Sequence, residues 1–278
     1  MLADVMDLLI CPHCSADLDM EDRTILCDRG HSFDVARQGY VSLLPGNAGG
    51  ILGDSAEMIA AREMFLGGGH FTPIRDAVVD AVGRREVVLE VGVGSGYYSA
   101  AVLEQTGGRG IGVDVSKAAA RRAARAHPGL GSIVADIWNG LPVRSGALGA
   151  ALCVFSPRNA TELQRVIEPG GVLIVVTPTA RHQQELIGAL GLIGVDDEKA
   201  RRLGDSLAGK FELASRDVVE FAMELSHADV ASLVAMGPSA RHTTDASRQA
   251  SIAALPATTT VTASVVVGVY ARLASAAS

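Results

Sequence analysis

Short apolar runs alternate with helical stretches through the middle of the chain. Strands are predicted at 87–92, 110–114, 132–136, 148–154 and 172–177, because each is a run of aliphatic residues bounded by polar residues or glycine. Between them, apolar residues recur at helical spacing near 96–105, 116–126, 159–167 and 182–190. This alternation is typical of an α/β fold in which helices cover a parallel sheet.

The pattern differs on either side of this region. Before it, Asp54-Ser55-Ala56-Glu57 has the form of a helix N-cap, and this helix is expected to stop at Gly67-Gly68-Gly69. A second helix follows Pro73. After residue 191 the pattern predicts a helix at 197–208, a strand at 211–221, a helix at 227–235 and a strand at 260–272, with a frayed tail from Ala271.

Composition and charge narrow the class of protein. No apolar run approaches the ~20 residues that span a bilayer, and no segment has the form of a secretion signal, so the protein is expected in the cytoplasm. The formal net charge of −7 favours a small-molecule enzyme over one that binds nucleic acid, because phosphate binding usually depends on clusters of Lys and Arg.

Three of the four cysteines lie near the start of the chain at a spacing typical of zinc ligands. Cys11 and Cys14 form a C-x₂-C pair, and Cys27 and His31 follow as a C-x₃-H pair. Two such pairs complete a tetrahedron with no open position, so a structural zinc site is predicted. His13 could compete with His31, although the spacing favours His31. The alternative is that the cysteines are ordinary buried thiols.

The metal site and the composition divide the chain into three parts. Residues 1–46 are predicted to form a zinc-binding module whose folding depends on the metal, because so short a segment buries little surface by itself. Residues 47–85 are a linker, flexible over 47–53, and a helical connection. Residues 86–278 form the domain that contains the sheet.

The strand at 87–92 runs into a glycine-rich turn that opens a helix. Gly92, Gly94 and Gly96 permit a tight turn and let a ligand lie against bare backbone. Their spacing lacks the G-x-x-G ending of dinucleotide-binding turns. Glu90 precedes the turn, where an acid typical of methyltransferases can face the charged methionine end of S-adenosylmethionine. The turn therefore favours an S-adenosylmethionine site, with a dinucleotide site and an unliganded domain as alternatives.

Acidic residues at the ends of the next two predicted strands extend this site. Asp114 can accept hydrogen bonds from both ribose hydroxyls, and Asp136 is positioned for the adenine amino group. Val115 and Ile137, which follow these acids, are assigned to the same pocket. Together these residues predict a Rossmann-like class I methyltransferase domain.

At this point the sequence resembles the 23S ribosomal RNA (guanine-N1) methyltransferases, a family that includes macrolide-resistance enzymes. The resemblance covers roughly residues 8–190. Its most specific motifs lie outside the general methyltransferase pattern: Cys11-Pro12-His13-Cys14, Gly39-Tyr40-Val41-Ser42-Leu43-Leu44-Pro45, Gly53-Asp54-Ser55-Ala56-Glu57-Met58, Ala61-Arg62, Gly69-His70-Phe71, Gly96-Tyr97-Tyr98, Asp114-Val115-Ser116-Lys117 and Arg181-His182. Two positions depart from many relatives: Glu90 replaces an aspartate, and Phe155-Ser156-Pro157 stands where a relative can have Tyr-Ala-Pro.

The resemblance implies a substrate, an assembly and a reaction. The expected substrate is 23S rRNA, at N1 of a guanine in the hairpin loop of domain II near the macrolide site, and the expected assembly is a homodimer whose cleft receives RNA. Phe155, Ser156 and Pro157 are interpreted as the pocket in which guanine stacks, and His182 as the proton acceptor. A plain turn and a surface histidine are the simpler readings of these residues. A small-molecule methyltransferase and a non-catalytic zinc adaptor remain as alternative functions.

Overall fold

The structure is a computed structural model, and it describes residues 1–44, 53–192, 199–237 and 245–274. Its strands are β1 Leu18–Glu21, β2 Thr24–Cys27, β3 Ser32–Asp34, β4 Tyr40–Ser42, β5 Val87–Val91, β6 Arg109–Asp114, β7 Leu130–Val134, β8 Leu148–Val154, β9 Ile167–Pro178, β10 Phe211–Ser226 and β11 Thr258–Arg272. Its helices are α1 Ala56–Gly67, α2 Thr72–Val82, α3 Tyr97–Thr106, α4 Lys117–Ala123, α5 Ala160–Val166, α6 Gln184–Leu190, α7 Lys199–Leu207, α8 His227–Ala235 and α9 Asp245–Ala253. Two 3₁₀ helices span Leu2–Leu8 and Ile137–Asn139.

One mixed sheet organises the described chain. Its strand order is β10-β11-β9-β8-β5-β6-β7-β4, and a separate three-stranded sheet has the order β1-β2-β3. The neighbouring strands from β4 to β9 pair in parallel, whereas β11 is antiparallel to both β9 and β10. The predicted parallel sheet covered by helices is therefore confirmed. Because the parallel strands point the same way, the residues that follow β5, β6, β7, β8 and β9 meet at one edge of the sheet.

The N-terminal segment shares its core with the large sheet. Strand β4 pairs in parallel with β7 and so extends the sheet at its edge. The 3₁₀ helix Leu2–Leu8 packs beside β7, with Val5 buried in the same apolar cluster as Ile111 and Ile133. Arg109 pairs with both carboxylate oxygens of Asp7, at 2.6 and 2.7 Å. These contacts hold the cysteine-bearing segment firmly against the sheet.

Several predicted elements differ from those observed. Strand β10 continues to Ser226, five residues beyond its predicted end, because it pairs with the whole of β11. Helix α9 was not predicted, since its alternation of small and polar residues gives little apolar periodicity. The tail predicted from Ala271 starts too early, because β11 runs to Arg272. Residues 47–52 of the predicted linker, the module boundary at 46, residues 197–198 of the predicted helix and residues 275–278 of the tail lie outside the described residues.

No helix in the described ranges is long and apolar enough to cross a membrane.

The contact between the N-terminal segment and the sheet depends on Gly131. A Cβ at this position would lie 2.3 Å from the Cγ2 atom of Val5. We expect Gly131→Ala to lower the free energy of unfolding by about 1–3 kcal/mol, because a buried methyl group would be forced into a filled space. The measurement is urea unfolding followed by circular dichroism.

Gly188→Ala is the matched control for this substitution. Gly188 lies inside helix α6 with nothing within 4 Å of a built Cβ. Alanine there should stabilise the protein by about 0.5–1 kcal/mol, since glycine is a poor helix former. Equal effects of the two substitutions would show that the Val5 contact is not a constraint.

Candidate active site and zinc centre

The four predicted zinc ligands meet at one point. The ligand atoms of Cys11, Cys14, Cys27 and His31 all lie within 4.8 Å of one another. A tight turn in which Ser15 N–H donates to the Cys11 carbonyl brings the first pair together. A second turn, with Gly30 at φ +84°, returns the chain from Cys27 to His31. The two pairs therefore approach from separate turns, as the spacing predicted.

The distances within this cluster fit a tetrahedral zinc ion. With Zn–S near 2.3 Å and Zn–N near 2.0 Å, the edges of a tetrahedron are about 3.8 Å between sulfurs and about 3.5 Å between sulfur and nitrogen. The Cys14 and Cys27 sulfurs are 3.8 Å apart, and His31 Nδ1 lies 3.3 Å from the Cys27 sulfur and 3.6 Å from the Cys11 sulfur. All four positions are occupied by protein ligands, so the centre is structural.

Two other residues are separated from the zinc ligands. His13 is exposed and stacks on Phe33, with ring centroids 5.8 Å apart, and it is not among the clustered ligands. Cys153 is buried in β8, where loss of hydration raises the pKa of its thiol to about 12. Burial opposes ionisation of Cys27 as well, but backbone N–H groups of His31 and Arg29 outweigh it and lower the pKa of that thiol to about 6. Cys27 thus already favours the thiolate form that binds a metal.

The glycine turn after β5 is a cradle that only glycine can form. Gly92, Gly94 and Gly96 have φ values of +69°, +53° and +81°, in the left-handed region that side chains disfavour. A Cβ at Gly92 would lie 2.6 Å from the Ser156 Cβ, and one at Gly94 would lie 2.9 Å from the Arg62 guanidinium. The turn therefore presents bare backbone at the sheet edge, as a bound nucleotide requires.

Acidic side chains hold this turn in shape. Glu90 is 2% exposed and accepts hydrogen bonds from the N–H and the Oγ–H of Ser99, which fastens helix α3 to β5. Burial raises the pKa of Glu90 to about 7. Asp114 accepts from Gly94 N–H at 3.0 Å and from Ser116 N–H at 2.9 Å. Burial also raises the pKa of Asp114.

The predicted adenine-binding residues lie on the loop after β7. Asp136 caps the 3₁₀ helix Ile137–Asn139 by accepting from Trp138 N–H at 3.0 Å. Ile137 is buried. Asp114 is the last residue of β6, and Asp136 follows the end of β7 by two residues rather than ending the strand as predicted. Both acids lie at the same edge as the glycine turn, and Val115 directly follows Asp114.

Arg62 is a component of this site that the sequence analysis named only as part of a motif. Its guanidinium pairs with Asp54 at 2.7 Å and donates to the Met236 carbonyl at 3.0 Å. It also lies close enough to Glu90 and Asp114 to oppose the rise in their pKa values. Nothing in the sequence indicated the pair with Asp54, because residues eight apart are not neighbours on a helix. The approach of Arg62 to Gly94 is a long-range contact.

The residues that follow β8 lie beside the glycine turn, at the same edge of the sheet. Phe155 is 43% exposed and has φ +53°, an unusual value for a bulky residue. Its ring faces the imidazole of His182, with centroids 5.8 Å apart and an interplanar angle of 27°. The Ser156 hydroxyl is buried and has no well-formed hydrogen bond among the described residues, although it lies close enough to the Cys153 thiol to oppose the rise in the pKa of that group. Backbone strain and an unsatisfied polar atom are both typical of functional sites.

His182 is held in a defined protonation state. Its Nδ1 accepts a hydrogen bond from Ser264 N–H at 3.1 Å, so the neutral ring carries its proton on Nε2. The side-chain amide of Gln183 lies 3.0 Å from Nε2, and with this tautomer the amide is assigned with its oxygen toward the ring, where it accepts from Nε2–H. Burial lowers its pKa to about 4, which keeps the ring neutral at physiological pH. This arrangement makes His182 a hydrogen-bond donor and a packing surface for Phe155. It gives little support to its interpretation as a proton acceptor.

Comparison with known proteins agrees with this fold and these two centres. Residues 9–48 match a zinc-ribbon family described as the N-terminal domain of RlmA, and residues 88–171 match a methyltransferase domain family. A solved Bacillus halodurans structure assigned to the methyltransferases aligns with a TM-score of 0.51 at 12% identity, over 71% of this chain and 97% of that one. The chain is a class I methyltransferase that uses S-adenosylmethionine and carries a structural zinc ribbon.

Full-length relatives define the family more narrowly. A 23S rRNA (guanine(748)-N(1))-methyltransferase of Streptomyces fradiae is 43% identical over 272 residues, and a Micromonospora griseorubida protein assigned to 23S rRNA guanine-N1 methylation is 43% identical over 288 residues. Each alignment covers 95% of this chain and 97% of the relative. The chain belongs to the 23S rRNA (guanine-N1) methyltransferase family. The resemblance is thereby confirmed, and the two alternative functions lose their support.

Removal of a zinc ligand tests the metal centre. We expect Cys27→Ala to abolish zinc binding and to lower the melting temperature, because three remaining ligands leave the tetrahedron open. Cys153→Ala, which removes the cysteine buried in β8, should retain the metal. Zinc content by mass spectrometry and thermal unfolding measure both effects. A Cys27→Ala protein with full zinc content would exclude this ligand set.

The lowered pKa of His182 predicts how stability depends on pH. As pH falls below 6.5, the unfolded chain takes up a proton at this residue, whereas the folded protein does so only near pH 4. Stability is thus fully present above the ordinary pKa and is lost as pH falls. Between pH 7.5 and pH 5, protonation of His182 in the unfolded chain should therefore lower the free energy of unfolding by about 2 kcal/mol.

His182→Asn isolates that contribution. The asparagine Oδ1 can still accept from Ser264 N–H but does not titrate. Between pH 7.5 and pH 5, the free energy of unfolding should fall by about 2 kcal/mol less in the variant than in the wild type. Urea unfolding at the two pH values measures this difference. If both proteins lose the same amount, His182 is not buried in its neutral form.

Proposed function

We propose that this protein transfers a methyl group from S-adenosylmethionine to N1 of a guanine in the domain II hairpin loop of 23S rRNA. The observation that carries the proposal is the contact between Ser156 and Gly92, where a Cβ on Gly92 would lie 2.6 Å from the Ser156 Cβ. The same tripeptide that presents the exposed Phe155 ring thus touches the glycine turn. A base stacked on Phe155 would lie beside the cofactor.

The chain's own residues fit S-adenosylmethionine. We assign Asp114 to the ribose hydroxyls and Asp136 to the adenine amino group, with Val115 and Ile137 as apolar neighbours of the adenine ring. Glu90 and the glycine turn face the methionine end, although the two hydrogen bonds from Ser99 make Glu90 chiefly a support of the turn. When bound, the cofactor supplies a methyl group already activated by a positive sulfur.

The guanine pocket follows from the residues around Phe155. We place the base on the Phe155 face and its polar edge toward Ser156, whose hydroxyl has no well-formed hydrogen bond among the described residues. Pro157 closes the turn, and His182 packs against the Phe155 ring. An aromatic face binds any base by stacking, while a hydroxyl or backbone group reads the edge of the base. A loop nucleotide needs little unpairing to enter.

Proton loss at N1 accompanies formation of the N1–carbon bond. Because the described hydrogen bonds of His182 leave Nε2 protonated, we expect the proton to pass to water rather than to this ring. The enzyme then contributes mainly by holding N1 in line with the methyl group. His182→Phe should therefore keep most of the turnover. A loss of 100-fold or more, as expected for a general base, would restore His182 as the acceptor.

Positive side chains around the pocket support an RNA substrate despite the negative net charge. Arg158 follows the pocket tripeptide, and Arg181 precedes His182 and pairs with Glu220 at 3.0 Å. Arg216 on β10 lies opposite Gly268, against which the Tyr270 ring packs. Burial raises the pKa of Tyr270, and the nearby charges of Arg216 and Arg158 oppose that rise. A local basic surface of this kind can bind phosphate.

The proposal extends to assembly and biological role. We propose a homodimer in the cytoplasm, with 23S rRNA as its partner. The exposed Leu213 and Val218 on the outermost strand β10 are apolar surfaces that a second copy could cover. Methylation in the domain II loop would lie near the macrolide site, so macrolide resistance is included in the proposal.

A single assay tests the reaction and its position. Purified protein is incubated with unmodified 23S rRNA and S-adenosylmethionine, and methylated positions are mapped by reverse-transcription stops. Methylation of N1 blocks base pairing, so a new stop at one guanine of the domain II loop is expected. Methyl transfer only to another nucleotide would contradict the proposed site.

Phe155 provides a test that separates activity from folding. Both Phe155→Ala and Phe155→Gly remove the stacking ring, so each should lower kcat/KM for RNA by about 10-fold or more. The two should differ in stability. Glycine tolerates φ +53° and should be about 1–2 kcal/mol more stable than alanine there, measured by urea unfolding. Undiminished kcat/KM in both variants would remove Phe155 from the pocket.

A further inference from the structure

Trp138, in the 3₁₀ helix Ile137–Asn139, is a large aromatic residue whose side chain is exposed to solvent rather than packed in the core. Among the described residues, the exposed large apolar side chains are Met1, Met64, Trp138, Phe155, Leu213 and Val218. Only Trp138 and Phe155 of these are aromatic, and Trp138 is 63% exposed. Both follow parallel strands, β7 and β8, at the sheet edge that contains the glycine turn. The two exposed aromatic faces therefore lie at the same end of the fold.

The backbone that presents Trp138 is rigid. Asp136 accepts from Trp138 N–H with one carboxylate oxygen and from the Asn139 side-chain amide with the other, at 3.0 and 2.8 Å. Ile137, the preceding residue, is buried in the core. The 3₁₀ turn is thus capped at its start by Asp136 and fixed to the core by the buried side chain of Ile137. An aromatic ring on such a turn is held ready for binding at little cost in entropy.

A hydrogen bond connects this turn with the proposed guanine pocket. The side-chain amide of Asn159 donates to the Ile137 carbonyl at 3.1 Å, while its oxygen caps helix α5 by accepting from Glu162 N–H. Asn159 lies two residues beyond Pro157. The position of Trp138 is therefore linked to that of Phe155 through one hydrogen bond and the short stretch of chain from Phe155 to Asn159.

We propose that Trp138 stacks on an unpaired base of the RNA loop next to the target guanine. This inference rests on the proposed function, because it assigns a second nucleotide of the same substrate. Loops expose unstacked bases, and proteins commonly bind them by stacking on aromatic side chains. Stacking is tolerant of base identity, so Trp138 would set the register of the loop while the pocket selects the guanine.

The intrinsic fluorescence of the protein reports directly on this residue, because Trp138 is the only tryptophan in the chain. The probe is a transcript of the domain II hairpin of 23S rRNA, titrated into the protein without cofactor. Quenching by the hairpin, and much weaker quenching by a fully paired duplex of the same stem, is expected. Quenching by S-adenosylmethionine alone but not by the hairpin would assign Trp138 to the cofactor and overturn the proposal. The absence of quenching by the hairpin would also overturn it.

Kinetics of substituted proteins provide the second test. Trp138→Ala should raise KM for the hairpin at least about 5-fold, with the affinity for S-adenosylmethionine unchanged. Trp138→Phe, which keeps an aromatic face, should restore most of the loss, whereas Trp138→Leu should not. Met64→Ala is the matched control, because it also removes an exposed apolar side chain but lies on α1 and has no role in the proposed function.

The outcomes separate this inference from the proposed function. If the wild-type protein methylates the hairpin and Trp138→Ala has an unchanged KM, only the inference about Trp138 fails. If the wild-type protein does not methylate 23S rRNA at the domain II loop, the proposed function fails, and the assignment of Trp138 fails with it. Equal effects of Trp138→Ala and Met64→Ala would show a general loss of apolar surface and would also overturn the assignment.

Discussion

The close packing of Ser156 against Gly92 brings the two halves of the active site together. Gly92 belongs to the turn that follows β5, and Ser156 to the turn that follows the neighbouring strand β8. A side chain at position 92 would overlap Ser156, so the two turns meet at the closest distance that backbone allows. Methyl transfer demands such proximity, since a donor and an acceptor bound even slightly too far apart react poorly. The hydrogen bonds of Glu90 and Asp114 keep the glycine turn in that position.

The zinc ribbon acts on the same site through packing. Leu9 and Ile10, which precede the first ligand Cys11, bridge to Val143 and Pro142 on the loop between β7 and β8. That loop begins with Asp136 and Trp138. Its far end is held by Arg165, which donates to the Leu141 and Val143 carbonyls and pairs with Glu162. Zinc thus does no chemistry, but it orders a segment that supports the residues proposed to bind adenine and RNA. This connection gives a physical reason for a metal site on an enzyme whose chemistry needs no metal.

The sequence predicted those features that depend on local spacing. The C-x₂-C and C-x₃-H pairs, the glycine turn and the alternation of strands with helices are all visible within a few residues of chain. What could not be predicted depends on contacts between distant segments. Examples are the pairing of β4 with β7, the approach of Arg62 to Gly94 and the hydrogen bond from Ser264 to His182. The hydrogen bond from Ser264 changes the interpretation of His182, because the sequence does not show which group donates to its Nδ1 atom.

Local arrangement also explains how an acidic chain can act on RNA. Ion pairs within the fold, such as Asp7 with Arg109 and Glu162 with Arg165, remove equal numbers of acidic and basic groups and leave the net charge of −7 unchanged. Over distances beyond about 10 Å, salt screens the remaining exposed charges, so a phosphate group responds to its immediate surroundings. Those surroundings include Arg158, whose guanidinium donates to the Ser156 carbonyl at 3.0 Å. The proposed stacking on Phe155 would add affinity that does not depend on charge. A substrate that is bound largely through its unpaired bases therefore needs less positive surface than a duplex would.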